Sequence, residues 1–189
     1  MTTLDEKQTY NINPASVSPW PTAIRYGVIG GLIFCVYTLV GNLTGMTTGK
    51  LGATVSILSS LLVVAIGIGI IVVSVKHHRD KELGGYITLG RVVLVGTVVV
   101  FLTVLISNIF NYIYMNFIDP NYVMDTLVAF EEMMSDWIPE DQMDETLAGM
   151  KESMEPAKMF TTGLLFPTLL GAFVSAIIGL IMKVEPPRV

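Results

Sequence analysis

Charge is what this sequence has least of. Only 14% of its 189 residues are Asp, Glu, Lys or Arg while 52% are hydrophobic, and a soluble domain usually carries about a quarter charged residues. Eleven basic and 16 acidic side chains cannot clothe a soluble surface of this size, so much of that surface must face something other than water. Cysteine is nearly absent. The single Cys35 excludes a disulfide framework within the chain, and without CxxC or HExxH spacing no thiolate or histidine cage for a metal is expected. Gly67 and Gly69 do not extend to GxGxxG, no Walker A lysine follows a glycine loop, and there is no G-x-S-x-G elbow. The expectation is therefore a chain that is not an enzyme, with no catalytic residue, no cofactor, no resident metal and no nucleic-acid partner.

What is present is long uncharged intervals. Between Arg25 and Lys50 lie 24 uncharged residues, between Lys50 and Lys76 25, between Arg91 and Asp119 27, and between Lys158 and Lys183 24. Each exceeds the roughly 20 residues that cross a hydrocarbon core about 30 Å thick. Leu51 to Val75 alone holds 15 Leu, Ile and Val residues. The β-branched run from Val92 to Leu105 is too long for a strand, and in lipid a helix wins because it satisfies its own backbone. The sequence thus predicts an all-α, four-helix transmembrane bundle with the lipid bilayer as its first partner. The expected spans are about 24–45, 51–75, 90–117 and 159–182, forming a single membrane domain over 23–189.

Residues 1–22 are expected to form a flexible tail rather than a signal peptide, since Asp5, Glu6, Pro14, Pro19 and Pro21 precede any apolar run. Trp20 is placed at headgroup level ahead of the first span. With the N-terminus inside, Lys7, Arg25, Lys76, Arg79, Lys81, Arg91, Lys183 and Arg188 lie on the inner face against Lys50, Lys151 and Lys158 outside. That excess predicts both termini cytoplasmic in a bacterial inner membrane.

One segment looks soluble. From Asp119 to Lys158 there are 11 acidic and two basic residues, a local net charge of −9. Asp119 and Pro120 read as a helix start. Val123, Leu127, Phe130, Met134 and Trp137 then recur at helical spacing, and after Pro139 so do Met143, Leu147, Met150 and Met154. Two amphipathic helices, an extracytoplasmic hairpin between spans three and four, are predicted. Their Met-rich stripes are the candidate face for a protein partner, although such stripes more often pack on each other or on the lipid surface. An EF-hand is excluded by the missing glycine and ligand spacing. Methionine-held copper is a minor alternative, with no His or Cys nearby.

Apart from Arg25 and Arg91 at span starts, where they can snorkel to the headgroups, the spans hold no Asp, Glu, Lys, Arg or His, which argues against an ion-coupled transporter or proton pump. Asn42 and Asn108 lie 17 residues beyond Arg25 and Arg91, and Asn111 follows one turn later. These three form a candidate polar outer cluster, either a vestibule for neutral solutes or, as expected here, glue between helices. Tyr112, Tyr114 and Phe117 read as an outer aromatic belt. Gly163, Pro167, Gly171, Ser175 and Gly179 are four apart, a packing ridge whose partner is another span or a second copy in a homo-oligomer. Gly27 and Gly31 make a similar step, and Pro167 is a candidate kink. His77 and His78 belong to the basic run Lys76 to Glu82 and are expected to be solvated at the interface.

At Asn116-Phe117-Ile118-Asp119-Pro120, preceded by tyrosines and followed by a Met/Glu-rich helical segment, the chain resembles a bacterial membrane family catalogued as domain of unknown function 4199. The resemblance runs from Arg25 to Lys183 in span order. It implies a four-helix inner-membrane protein with no assigned activity and no functional residues to carry over. The reading is of a non-enzymatic structural or interaction protein that presents the acidic hairpin outside. The alternative is a small transporter or channel for neutral solutes that uses the outer asparagines.

Overall fold

The computed structural model describes residues 16–46 and 51–184. Lys7, Lys50 and Arg188, which enter the orientation count, lie outside the described residues, as do positions 1–15 of the expected tail. Six helices follow in order: α1 Trp20–Thr44, α2 Ala53–His77, α3 Leu89–Ile113, α4 Tyr122–Met134, α5 Glu140–Ser153 and α6 Pro156–Met182. Wide π turns extend α2 over His78–Glu82 and α3 over Tyr114–Ile118. With those extensions, α1, α2, α3 and α6 are each long and apolar enough to cross a membrane. Among the described residues there is no strand, only an isolated antiparallel bridge between Ile87 and Val184.

The helix ends correct two expectations. Trp20 is the first residue of α1 rather than a residue ahead of it, because Pro19 and Pro21 supply the fixed φ that a first turn needs. Asp119 and Pro120 do not cap α4. The π turn carries α3 on to Ile118, so Asp119 accepts the Tyr122 N–H through its backbone carbonyl at 3.0 Å, and α4 begins two residues later than that cap would set it. Pro167 lies inside α6 without ending it.

α3 is the centre of the bundle, with α1 and α6 both packed closely along it and α2 touching it more lightly. Lipid offers apolar helices no hydrophobic drive to associate, so backbone proximity through small residues has to supply the packing. A Cβ placed on Gly31 would come within 2.7 Å of the Ile106 side chain, and one on Gly171 within 2.7 Å of Val100. Gly96 of α3 presses on Ser175 of α6, and Gly179 on Leu89 and Val92. Thr103 adds a hydrogen bond to the Gly27 carbonyl at 3.2 Å. Large side chains such as Leu32, Val36, Leu169 and Phe173 point away from these contacts and are exposed, as a lipid-facing surface requires.

The core is lopsided. Ala23, Val75, Leu83, Ile87, Val92, Val95 and Val99 are buried, and all belong to the end of the bundle where α1 and α3 begin and α2 and α6 finish. That end also carries Arg25, Lys76, Arg79, Lys81 and Arg91, and is called the basic end below. At the opposite, hairpin end the helices separate, leaving a crevice of about 190 Å³ lined by Tyr37, Met46, Ser56, Ser59, Ser60 and Val63.

Candidate functional site

The densest chemistry is at the basic end. His78 opens the π turn after α2 and is 0% exposed. This overturns the expectation of a solvated interface histidine: the turn rotates the ring inward toward the start of α1 instead of letting it trail into water. His78 Nδ1 lies 2.6 Å from Glu82 Oε2. The other Glu82 oxygen accepts the Thr22 hydroxyl from the first turn of α1. His77 Nε2 is 3.8 Å from that same oxygen, and its ring lies against Tyr26 with centroids 5.5 Å apart. One carboxylate therefore joins α1 to the end of α2.

Neighbouring contacts close the same end. Arg91 Nη2 donates to the Val17 carbonyl, which holds the segment before α1 to the start of α3. Arg79 Nε pairs with Asp80 at 2.7 Å and Nη1 reaches the Met182 carbonyl at 3.4 Å. The short loop from Leu83 to Thr88 is pinned to the end of α6 by two backbone bonds between Ile87 and Val184, 2.9 and 3.1 Å long. Gly84 and Gly85, with φ of 63° and 95°, make the left-handed turn that lets it double back.

Chemically this network is a clamp. His78 Nε2 is buried with no hydrogen-bond partner among the described residues, and the residue has no exposed surface. The Glu82 carboxylate, which would have to act as base, already accepts from Thr22 and His78. Sequence alone did expose one trace of this: His78 and Glu82 stand four apart, the spacing at which two helical side chains meet. Thr22, 60 positions away from Glu82, carried no such signal.

At the hairpin end the candidate asparagines are placed as follows. Asn108 Nδ2 donates to the Met159 carbonyl of α6 at 3.0 Å, so this amide joins two spans. Asn42 is half-buried near the end of α1, and Asn111 half-buried one turn beyond Asn108. The expected aromatic belt divides. Phe117 is exposed, but Tyr114 is only 4% exposed, stacked edge-on against Tyr122 of α4 at 5.6 Å, because the hairpin folds over it.

In the hairpin, Met143 is buried, and Val123, Leu127, Phe130, Met134, Leu147, Met150 and Met154 are half-covered. Amphipathic stripes pack first on each other, and here α4 meets α5 and α5 meets α6. What is left outward is Met124, Val128 and Trp137, the last 81% exposed beyond the end of α4. Met133 and Met134 share with the first half of α2 a groove of about 470 Å³ lined by Ser56, Ile57, Ser60, Leu61 and Val64.

The ridge on α6 has its partner within the chain. Gly171, Ser175 and Gly179 lie against Val100, Gly96 and Val92 of α3. Gly163 is different: a Cβ there would meet nothing nearer than Asn108 Nδ2 at 3.6 Å.

Among the described residues no group of three or more His, Cys, Asp or Glu side chains could hold a metal. A family model described as "Protein of unknown function (DUF4199)" matches residues 25–184. No curated protein and no solved structure matches the chain.

Proposed function

The chain belongs to this family of unknown function, and on that premise we propose that it is a non-catalytic, multi-pass membrane protein that presents its acidic hairpin to a protein partner outside a bacterial inner membrane. The four long apolar helices support the membrane setting. The basic end is the cytoplasmic one: Arg25, Lys76, Arg79, Lys81, Arg91 and Lys183 gather there among the described residues, against Lys151 and Lys158 at the hairpin end.

The observation that carries the reading is the exposure of Trp137 and Met124 on an otherwise acidic hairpin. Met124 and Val128 are exposed one turn apart on α4, and Trp137 is exposed beyond its end. An amphipathic aromatic ringed by carboxylates suits a partner with a basic rim and an apolar centre. A photo-crosslinking amino acid at position 137, in the full chain in cells, tests it. A discrete protein adduct supports the reading; adducts to lipid alone make the hairpin a membrane-surface element and sink it.

The crevice lined by Tyr37, Ser56, Ser59 and Ser60 favours a second reading, a vestibule for a small neutral solute. It is rich in hydroxyls and its described lining holds no Asp, Glu, Lys, Arg or His, and Tyr37 Oη already donates to the Ser59 carbonyl at 3.0 Å. Solute flux in liposomes that disappears on Ser59→Leu is the result that would promote it.

A further inference from the structure

The basic end carries a groove that the Thr22–Glu82–His78 clamp does not fill. It lies between α1 and α2, encloses about 230 Å³, and is lined by Tyr26, Val73, Lys76, His77, Asp80 and Lys81. We propose that this groove is a binding site for an anionic phospholipid, its phosphate between Lys76 and Lys81 and its glycerol and first acyl carbons against Val73 and Tyr26.

The charge balance inside the groove is positive despite two nearby acids. Asp80 is paired with Arg79 at 2.7 Å. Glu82 accepts from Thr22 and His78 through separate oxygens. Lys76 and Lys81 make no ion pair with any described residue, and both side chains are exposed. Two ammonium groups against the single Asp80 carboxylate, itself held by Arg79, leave the groove net positive and suited to a phosphate.

Lys76 lies in the last regular turn of α2 and Lys81 in the π turn that follows, a turn closed by the Leu83 N–H to the His78 carbonyl at 3.1 Å. Both lysines line the one groove.

The groove is also placed at the right depth. Lys76 is the first charge after 25 uncharged residues, and Val73, one turn earlier, is 53% exposed. One side of the groove is hydrocarbon level and the other is headgroup level. An amphiphile with an anionic head uses both, whereas a free phosphate would use only one. Basic pockets at the ends of spanning helices are suited to acidic headgroups, and the Lys76 stem can lie along the apolar surface while its ammonium reaches the phosphate.

The test is native mass spectrometry of the purified full chain in detergent, titrated with phosphatidylglycerol or phosphatidylcholine of identical acyl chains. Phosphatidylglycerol should be retained preferentially. Lys76→Ala and Lys81→Ala should each weaken its retention about five-fold and the double variant about 25-fold, with Lys→Arg at both positions restoring it. Lys158→Ala, at the hairpin end, should change nothing. Equal retention of the two lipids, or a double variant that holds phosphatidylglycerol like the unaltered chain, overturns the site. So does displacement of the lipid by inorganic phosphate alone, which would make the ligand a soluble anion. Melting curves matching the unaltered chain will show that the exposed lysines were removed without loss of fold.

Discussion

The Nδ1 atom of His78 and the Oε2 atom of Glu82 stand 2.6 Å apart at the end of α2, and the second oxygen of the same carboxylate takes the Thr22 hydroxyl from α1. α1 and α2 otherwise meet at few places, so this carboxylate is a disproportionate part of what fixes the start of the first span.

Glu82→Ala removes the shared acceptor and leaves a buried imidazole without its partner. A loss of about 1 to 3 kcal/mol follows for a buried donor left unsatisfied, read as a lower melting temperature in detergent. Thr22→Val deletes one hydrogen bond and should cost about 1 kcal/mol. If Glu82→Ala melts with the unaltered chain, the clamp has no structural role.

Two glycines of the α6 ridge, Gly163 at its start and Gly171 at its middle, should respond in opposite ways. Gly171→Ala drives a methyl into the branched Val100 side chain, 2.7 Å away, and overpacking of that kind costs about 1 to 3 kcal/mol. Gly163→Ala meets nothing closer than 3.6 Å and gains helix propensity of up to about 1 kcal/mol. Thermal or denaturant unfolding of both variants in one detergent decides it, and equal destabilisation would mean that α6 is packed differently.

Buried Tyr122 gives the hairpin a sensitivity to alkali. Burial of its phenol raises the pKa above the ordinary tyrosine value, with the nearby Tyr114 and Asp119 adding to the effect and a Thr126 hydrogen bond opposing it. A group whose folded pKa is raised contributes stability below the unfolded value, about pH 10, and that contribution is lost as pH climbs through the folded one. Tyr122→Phe should therefore flatten the alkaline limb of stability above about pH 10 while leaving neutral pH little changed. An ultraviolet titration that finds Tyr122 ionising with the exposed tyrosines would contradict this.

The four spans were legible because lipid imposes a rule on composition itself: an uncharged run of sufficient length has one solution, whatever it packs against. The spacing of Gly171, Ser175 and Gly179 announced a close approach for the same reason. Its partner was not legible, since spacing records only one side of a contact and α3 answers it with Gly96, Val92 and Val100. His78 was misread because its environment is made by Thr22 and by a π turn, and neither leaves a periodicity. The hairpin stripes were visible as stripes, but which apolar residues remained outward depended on how α4, α5 and α6 meet, and that left Trp137 of the stripe together with Met124 and Val128, which lie off it.

Asn108 separates the two functional readings most cleanly. Its Nδ2 donates to the Met159 carbonyl, an acceptor near the start of α6 where Met159 itself is buried. If the amide serves only to hold α3 to α6, Asn108→Leu costs about 0.6 to 2 kcal/mol of stability, the range for polar contacts between spanning helices, and Asn108→Gln recovers part of it. Neither variant then changes solute leakage from liposomes beyond that of empty vesicles. A vestibule predicts the reverse pattern, with flux in the unaltered protein that falls in Asn108→Leu out of proportion to any change in melting. Because stability and flux are read on the same two variants, loss of fold cannot be mistaken for loss of transport, and a drop in flux with unchanged melting would replace the interaction reading with the transport one.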